Sequence, residues 1–335
     1  MPSLRLQCPA CRRALSGAQR VCSGCGFQLL EQGGIFRALT PDRQLALGQF
    51  VREYELVRGK EGRWSSSSEY YLELPFKDVR GHNSWQWSIR ARTYRYLERH
   101  VLSQCESAYP GGAEVLDVGA GNCWLSFRMA LRGHRPVAID LLDNEGDGLG
   151  AARHYFDHLP QPFQRFQAEM DRLPFVSEQF DIVIFNASFH YSVDYRKTLQ
   201  EALRCLRRPG HVIIVDSPFY WHDQSGQTMV EEKRAAFQQK YGFRSDSMRS
   251  CEYLTPGVLD ELAAAFMLRW RVLKPWYGLN WALRPARARL LRRREPSKFF
   301  VIWATVPPGD HASRSRATTC FIPQTGCPVG SVFGR

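Results

Sequence analysis

Two glycines and an acid lie at the ends of two predicted strands, where they could hold a nucleoside. The apolar run at 115–118 predicts a buried strand that leads into Gly119-Ala120-Gly121, and a helical pattern follows. A second predicted strand, 136–139, ends on Asp140. Glycines let the backbone approach a ligand closely, and an acid at this strand tip can accept from both hydroxyls of a ribose. The pattern predicts half of a Rossmann-type unit that binds a nucleoside cofactor.

The loop departs from the dinucleotide-binding pattern at the position of the third glycine. A dinucleotide fingerprint is G-x-G-x-x-G, in which the third glycine brings helix and strand close together. Trp124 occupies that position here. The loop is therefore predicted to hold a nucleoside that lacks a pyrophosphate, which argues against a nicotinamide oxidoreductase.

Four segments in a fixed order, covering roughly residues 111–217, carry a family resemblance. They are the glycine loop, the E-M-D-R-L-P-F loop at 169–175, the F-D-I-V-I-F-N strand at 180–186, and the E-A-L-R-C-L-R-R-P-G helix end at 201–210. Together they resemble class I S-adenosylmethionine-dependent methyltransferases of the ubiquinone/menaquinone type, the methyltransferase type 11 branch. The resemblance implies an α/β fold with a Rossmann-like, seven-stranded class I core.

The resemblance also implies which residues bind S-adenosylmethionine. The glycines would meet the methionine moiety, the first-strand acid its ammonium group, the second-strand acid the ribose, and the 169–175 loop the adenine, with Asp171 as the alternative to Glu169. The implied cofactor-binding residues are Asp117, Gly119, Gly121, Asp140, Glu169, Met170 and Asn186.

The segment after the fourth predicted strand supplies the candidate catalytic residues. It lies where the family places groups that face the transferred methyl. His190 could be a general base for an oxygen or nitrogen nucleophile, because a free imidazole titrates near neutrality, and Tyr191 is a second candidate. The alternative is a histidine that only packs. Asn186-Ala187-Ser188-Phe189 replaces the N-P-P-Y of base amino-methylating enzymes, which argues against adenine or cytosine amino groups as acceptors.

Four cysteines near the N-terminus have the spacing of a zinc ribbon. Cys8-x2-Cys11 and Cys22-x2-Cys25 are separated by ten residues. Such knuckles suit tetrahedral zinc, and four protein ligands leave no open position, so a structural rather than a catalytic zinc is predicted. A disulfide pair or a redox role is the alternative.

Residues 25–39 around this cysteine pattern carry a second resemblance. They are similar to the short ribbon before many bacterial methyltransferase domains and to zinc-ribbon activator subunits of eukaryotic methyltransferases. The 23S ribosomal RNA guanine-N1 methyltransferases carry a similar module but close it with C-x3-H, unlike Cys22-x2-Cys25.

The net charge of +12 is concentrated in one segment. Residues 284–298 contain seven basic residues and one acid, half of the total charge. A solvated helix face is one interpretation. Contact with an anionic substrate, a lipid headgroup or RNA is the other.

The predicted organisation has four parts. They are a zinc ribbon (1–40), a helical linker or cap over the cofactor site (41–110), a methyltransferase domain (111–306) with a basic insertion (274–298), and a disordered tail (307–335). Aromatic residues of the cap could line the methyl-transfer chamber, with plain core as the alternative: Tyr70, Tyr71, Trp85 and Trp87. No apolar run approaches the ~18 residues of a membrane span and no signal-peptide core is visible, so a cytoplasmic protein is predicted.

These features predict an S-adenosylmethionine-dependent methyltransferase acting on a small-molecule or lipid-like acceptor at O, N or C. An RNA base methyltransferase that holds RNA with the ribbon and the basic insertion is the first alternative. A non-catalytic cofactor-binding scaffold is the second. The acceptor and the oligomeric state stay open.

Overall fold

The structure, a computed structural model, describes residues 4–15 and 20–308. Within these residues the chain builds one nine-stranded sheet and a separate two-stranded pair. The strands are β1 (Leu6–Gln7), β2 (Ala14–Leu15), β3 (Leu30–Gln32), β4 (Ile35–Arg37), β5 (Glu114–Val118), β6 (Arg135–Asp140), β7 (Gln164–Gln167), β8 (Phe180–Asn186), β9 (Leu206–Val215), β10 (Arg271–Leu273) and β11 (Val301–Val306). The large sheet has the order β10-β11-β9-β8-β5-β6-β7-β4-β3.

Strands β5 to β11 form the class I core that the sequence predicts. The central pairs β5–β6, β5–β8, β6–β7 and β8–β9 are parallel. Strand β11 inserts antiparallel between β9 and β10. The chain runs from β5 through β6 and β7 in one direction and then through β8 and β9 in the other. The carboxyl ends of β5 and β8 therefore flank the topological switch point, where open α/β sheets bind ligands.

Two further strands come from the N-terminal segment. Strands β3 and β4 pair as an antiparallel hairpin, and β4 joins the sheet parallel to β7. The predicted ribbon unit 1–40 therefore shares its last two strands with the core sheet. Strands β1 and β2 form a separate pair, and Leu6 of β1 makes an isolated antiparallel bridge to Phe175. The domain boundary at residue 40 stays a prediction.

Helices cover both faces of the sheet. They are α1 (Pro41–Lys60), α2 (Ser68–Glu73), α3 (Ser84–Leu97), α4 (Ser103–Glu106), α5 (Trp124–Leu131), α6 (Arg153–Phe156), α7 (Tyr195–Cys205), α8 (Asp223–Tyr241), α9 (Pro256–Phe266), α10 (Leu279–Ala282) and α11 (Arg284–Leu290). Proline in the first turn suits the start of α1, since that turn has no partner for an N–H. The Asp194 carboxylate accepts from the Arg196 and Lys197 amides and so caps α7.

The central strands are mostly apolar because both of their faces are covered. In β8, Val183 and Phe185 pack into one buried cluster, whereas Ile182 and Ile184 pack into the cluster on the opposite face. This two-sided burial is typical of parallel sheets under helices. It fixes the strand ends that carry the site.

The C-terminal prediction and the membrane prediction can be compared with the structure only in part. Of the predicted tail 307–335, residues 309–335 lie outside the described part of the chain. Among the described residues, no helix combines the length and the apolar character needed to cross a bilayer.

Candidate functional site

A deep cleft opens at the carboxyl ends of β5, β6 and β8. Its volume, including the mouth open to solvent, is about 1280 Å³. The glycine loop, the tip of β6, the 168–171 loop and the residues after β8 form its floor, and α1 together with Arg90 of α3 forms its roof. This is the position expected for a cofactor in a sheet with this strand order.

Both glycines of the loop have a positive φ, a backbone conformation that glycine adopts without a steric penalty. Gly119 has φ 74° and Gly121 has φ 53°. A Cβ added at Gly119 would lie 2.3 Å from the Cβ of Ser188. The amides of Gly119 and Ala120 both donate to the Ile139 carbonyl at 2.9 Å. The loop is thus tied to β6 and kept free of side chains on the cleft side.

Asp140 ends β6 and lines the cleft. Its Oδ2 accepts from the Gly121 amide at 2.7 Å and its Oδ1 from the Leu142 amide at 2.8 Å. Burial raises the pKa of this carboxyl to about 6. Each oxygen keeps a free lone pair, so the carboxylate can accept two further donors such as the hydroxyls of a ribose.

Asp117 lies on β5 and is fully buried, but it is not among the residues that line the cleft. Its Oδ2 accepts from the Ser126 hydroxyl of α5 at 2.7 Å, and its Oδ1 has no partner. Burial raises the pKa of Asp117 to about 7. The unpaired buried oxygen is compatible with an additional donor, and the predicted contact with an ammonium group stays a prediction.

The 169–171 loop offers two carboxylates in different surroundings. Glu169 accepts from Arg43 of α1, with the Nη2–Oε1 distance 2.6 Å. Asp171 also lines the cleft and makes no side-chain hydrogen bond or ion pair among the described residues; burial raises its pKa. Met170 lines the same wall. Asp171 is therefore the carboxylate with free acceptor capacity.

Asn186 ends β8 and brings an amide to the cleft. Its Oδ1 is buried and has no hydrogen-bond partner. A buried carbonyl without a donor is costly, so this atom is suited to accept from a bound molecule. The structure thus brings Gly119, Gly121, Asp140 and Asn186 to one cleft.

The two candidate catalytic residues have different surroundings in the structure, because only one of them lines the cleft. His190 is buried, does not line the cleft, and has its Nδ1 3.3 Å from the Ser217 hydroxyl. Burial, aided by the charges of Lys233 and Arg90, lowers the pKa of His190 to about 3. Such an imidazole is neutral and only weakly basic at neutral pH. Tyr191 does line the cleft, and burial raises its pKa, so it stays a phenol.

We expect His190 to destabilise the native chain in acid. Its pKa is lowered on folding, so below its unfolded value of about 6.5 the unfolded chain takes up a proton that the native chain does not. His190→Asn removes this group. Relative to the unmodified chain, the variant should gain about 2 kcal/mol in unfolding free energy between about pH 7.5 and pH 5. Denaturant unfolding at the two pH values measures this.

The matched control is His82→Asn at an exposed imidazole. The control should show no such relative gain. A difference between His190→Asn and the unmodified chain that does not change with pH would contradict the buried, neutral imidazole.

For the cap aromatics, the structure favours the interpretation as plain core over a lining of the methyl-transfer chamber. Tyr70, Tyr71 and Trp87 are buried away from the cleft, and Trp85 is 56% exposed. The roof is instead one face of α1, whose members have the helical spacing i, i+4, i+7, i+11 and i+15: Arg43, Leu47, Phe50, Tyr54 and Arg58. That spacing was the signal available in the sequence.

The charged groups of the roof differ in their pairing. Arg58 forms an ion pair with the buried Asp147. Arg90 stacks on the Trp87 ring with its Cζ 5.0 Å from the centroid, and it makes no ion pair or side-chain hydrogen bond within the described residues. Among the described residues, the cleft therefore contains one cation, Arg90, without a carboxylate partner.

The four N-terminal cysteines meet in one cluster. The Sγ atoms of Cys8 and Cys25 are 3.5 Å apart, those of Cys11 and Cys22 are 3.3 Å apart, and all four lie within 4.8 Å of one another. Tetrahedral zinc with Zn–S bonds of about 2.3 Å places its sulfurs about 3.8 Å apart. The cluster fits such an ion.

The segment that carries the first two cluster cysteines contacts the core of the protein close to the 169–175 loop. The Gln7 amide donates to the Pro174 carbonyl at 3.0 Å. Arg12 forms an ion pair of 2.6 Å with Glu201, which also accepts from the Leu173 amide at 3.2 Å. These contacts connect the segment around the first cysteine pair to the loop whose residues 168–171 line the cleft.

Comparison with known proteins gives a family for the core. The model of the family described as "Methyltransferase domain" matches residues 116–214. The chain is similar to the uncharacterized methyltransferase YodH of Bacillus subtilis (strain 168), with 27% identity over 139 residues. That match covers 37% of this chain and 58% of the relative, so the chain spans little more than half the length of the curated relative.

Among solved structures, two align with this chain at low sequence identity. The YcgJ protein of Bacillus subtilis aligns with a TM-score of 0.46 and 16% identity, covering 63% of this chain and 100% of that one. A putative sarcosine dimethylglycine methyltransferase of Galdieria sulphuraria aligns with a TM-score of 0.48 and 13% identity, covering 76% and 98%.

The family match covers the strands that carry the glycine loop, Asp140 and Asn186. The order of the seven core strands, with β11 antiparallel, is that of the class I fold. Residues 116–214 therefore match a methyltransferase domain, within a sheet that has the class I strand order.

Proposed function

We propose that the chain transfers a methyl group from S-adenosylmethionine to a small-molecule or lipid-like acceptor. One observation carries the proposal: the free lone pairs of Asp140, the open glycine loop and the unpaired Oδ1 of Asn186 face a single cleft. S-adenosylmethionine supplies a methyl group already activated by its sulfonium. The protein then has to align the acceptor atom with that methyl, and positioning of this kind supplies most of the rate.

The residues of the floor have distinct roles in this proposal. Asp140 accepts from the ribose hydroxyls, and Gly119 and Gly121 leave room for the methionine moiety. Asp171, or Glu169 after release from Arg43, accepts from the adenine amino group. Asn186 accepts through the Oδ1 that has no donor in the free protein.

The acceptor is proposed to enter from the α1 side. A second cavity of about 560 Å³ adjoins the cleft and shares Phe50, Tyr54, Arg58 and Tyr191 with it. The shared aromatic rings suit an apolar part of the acceptor, whereas the remaining walls of this cavity are mostly polar or charged, among them Arg63, Lys233 and Glu252. Arg90, the cation without a partner, suits a negatively charged group on the same molecule.

Tyr191 is proposed to orient the acceptor, and His190 to support it from behind. The Tyr191 ring meets the Tyr54 ring edge-on with centroids 5.8 Å apart. His190 adjoins Tyr191 in the turn Phe189–Tyr191 and is neutral, so a role in packing is favoured over proton transfer. The acceptor then has to reach the cleft with its nucleophilic atom already deprotonated or intrinsically nucleophilic.

The RNA alternative depends on the basic insertion. No residue of 274–298 lines the cleft or the adjoining cavity. An RNA held by the insertion would therefore have to reach the site from outside those walls. Phosphate-driven binding weakens steeply with salt, so RNA affinity that is absent, or flat between low and moderate salt, would exclude this alternative.

We also propose that the cysteine cluster holds one structural zinc ion. The mutual distances of the four thiols and their fastening to the core support this. The Gly24 amide donates to the Cys22 Sγ at 3.4 Å. An amide that donates to this sulfur favours the thiolate, which is the form that zinc binds.

The test of the proposed function is methyl transfer from radiolabelled S-adenosylmethionine into a lysate of the source organism, from a strain that lacks this gene. The products are separated into RNA, protein and organic-soluble fractions. Label in the organic-soluble fraction, lost with Asp140→Ala, supports the proposal. Nuclease-sensitive label in RNA supports the alternative instead.

The two carboxylates of the adenine wall give a further prediction. Asp171→Asn should weaken S-adenosylhomocysteine binding by about 10-fold or more, because it removes an uncommitted charged acceptor. Glu169→Gln should weaken it by less than about 3-fold, since Glu169 is already engaged by Arg43. Isothermal titration calorimetry measures both. The reverse order would assign the adenine contact to Glu169.

A further inference from the structure

The insertion between β10 and β11 exposes an unusual number of apolar side chains. We call residues 276–293 the insertion surface. Five of the sixteen large apolar side chains that are exposed in the described part of the chain belong to it: Trp276 (65%), Leu279 (72%), Leu283 (56%), Leu290 (83%) and Leu291 (52%). Isolated exposed apolar residues are ordinary, but a cluster of this kind marks an interaction surface.

The apolar residues follow one helical stripe. Helices α10 and α11 continue into each other, because the Leu283 amide donates to Leu279 at 2.9 Å and the Arg287 amide to Leu283 at 3.0 Å. Leu279, Leu283, Ala286 and Leu290 are spaced i, i+4, i+7 and i+11, and all four are exposed. Arg287 and Arg289 lie about 80° on either side of this stripe at 3.6 residues per turn.

Four arginines of the insertion surface have no ion-pair partner within the described part of the chain. Arg287, Arg289, Arg292 and Arg293 are exposed and make no ion pair within the described residues. Two other arginines of the insertion each have a side-chain partner. Arg284 stacks on Trp281 with its Cζ 3.9 Å from the centroid, and Arg294 forms a 2.6 Å ion pair with Glu232.

The insertion surface rests on a packed base. The Trp281 ring lies 5.0 Å from that of Tyr277 and 5.6 Å from that of Phe299. The Tyr277 hydroxyl is 2.8 Å from the Thr93 hydroxyl of α3. The exposed apolar stripe therefore lies on a segment that is packed against the rest of the protein.

We propose that the insertion surface docks on the face of an anionic lipid bilayer. An apolar stripe flanked by arginines, with a tryptophan at its edge, suits a helix that lies in the plane of the headgroups. Four unpaired arginines favour an anionic leaflet over a neutral one. RNA would pair with the arginines but leave the aliphatic stripe exposed, so the lipid surface accounts for more of the observations. This inference does not depend on the proposed methyl transfer.

The test is cosedimentation of the full chain with vesicles of phosphatidylcholine alone and of phosphatidylcholine mixed with phosphatidylglycerol. Tryptophan fluorescence compared between the unmodified chain and Trp276→Phe reports insertion of that ring. Binding to the anionic vesicles is expected, with little binding to the neutral ones. The double variant Leu279→Ser/Leu290→Ser and the double variant Arg287→Gln/Arg289→Gln should each weaken binding by about 10-fold or more.

Matched controls lie at exposed positions outside the surface: Leu45→Ser, at an 85% exposed leucine of α1, and Arg269→Gln. Both should bind as the unmodified chain does. All these positions are exposed, so unchanged melting temperatures are expected. Equal binding to both vesicle types, or full binding by the leucine double variant, would overturn the proposal. So would RNA binding that the arginine variant loses without any vesicle binding, or a dimer that the leucine variant abolishes in place of vesicle binding.

Discussion

Asp140→Ala is expected to weaken S-adenosylhomocysteine binding by at least about 100-fold, because two hydrogen bonds to a charged acceptor are lost and each contributes about 1.5–3 kcal/mol. The carboxylate also accepts from the Gly121 and Leu142 amides, so the variant loosens the glycine loop as well. Both effects act on the cofactor site. Isothermal titration calorimetry on the purified chain measures the loss directly, without knowledge of the acceptor.

The matched control for this variant is Asp157→Ala, which removes an exposed carboxylate. It should leave affinity unchanged. Circular dichroism and thermal unfolding show whether Asp140→Ala retains its structure, and Asp140→Asn keeps the side-chain volume where alanine does not. A folded Asp140→Ala chain with near-normal affinity would show that the ribose lies elsewhere.

The same carboxyl gives the affinity a pH dependence. Burial raises the pKa of Asp140 to about 6 in the free protein, and ribose hydroxyls donate to its ionised form. Binding therefore has to displace a proton once the pH falls below about 6. We expect the ratio of the unmodified chain's affinity to that of Asp140→Asn to be constant above that value and to fall by up to about tenfold per pH unit below it. The Asp140→Asn chain is the reference because it lacks the titrating carboxyl.

The sequence alone predicted the core because its central strands carry a strong local signal. Strands β5 and β8 are apolar on both faces, and the glycine loop follows β5 directly. The three-residue strands β3 and β4 were not found, since so short a run carries no measurable alternation.

The roof of the cleft was missed for a different physical reason. A helix face that looks onto a ligand cleft mixes charged, aromatic and aliphatic groups, so it does not stand out as an apolar stripe. Arg43, Tyr54 and Arg58 of α1 illustrate this mixture. The aromatic residues that sequence reasoning chose instead, such as Tyr70 and Tyr71, are aromatic because they fill the core.

His190 shows that the residue type alone does not determine the basicity of a side chain. His190 stands at the position after β8 that its family resemblance implies, and its side chain has the chemistry of a base. Its basicity depends on surroundings contributed by residues far along the chain, Arg90 and Lys233 among them. Only the folded arrangement brings those cations to the same buried imidazole. The cysteine cluster is the opposite case, because Cys8, Cys11, Cys22 and Cys25 bring their ligand chemistry and spacing together within one short segment.

Loss of a single cluster cysteine is expected to have the largest effect on stability. Metal analysis of the unmodified chain should give about one zinc per chain. Cys22→Ser should give none, and the N-terminal segment should lose the metal-dependent part of its stability, about 10–16 kcal/mol in comparable small zinc modules. Limited proteolysis should then cleave near residues 4–29 while residues 111–306 stay protected.

The matched control is Cys251→Ser, a partly buried cysteine outside the cluster, which should keep its zinc and its resistance to protease. Because Arg12 and Gln7 hold the 173–174 segment, Cys22→Ser should also weaken S-adenosylhomocysteine binding by a few-fold, far less than Asp140→Ala does.

A Cys22→Ser chain that retains zinc, or an unmodified chain that is folded and zinc-free, would contradict the structural zinc. Equal loss of zinc in both variants would show that the metal is not held by the four-cysteine cluster alone. Retained zinc in Cys251→Ser, with protease-sensitive Cys22→Ser, would instead show that the N-terminal segment depends on the metal for its fold and the core does not.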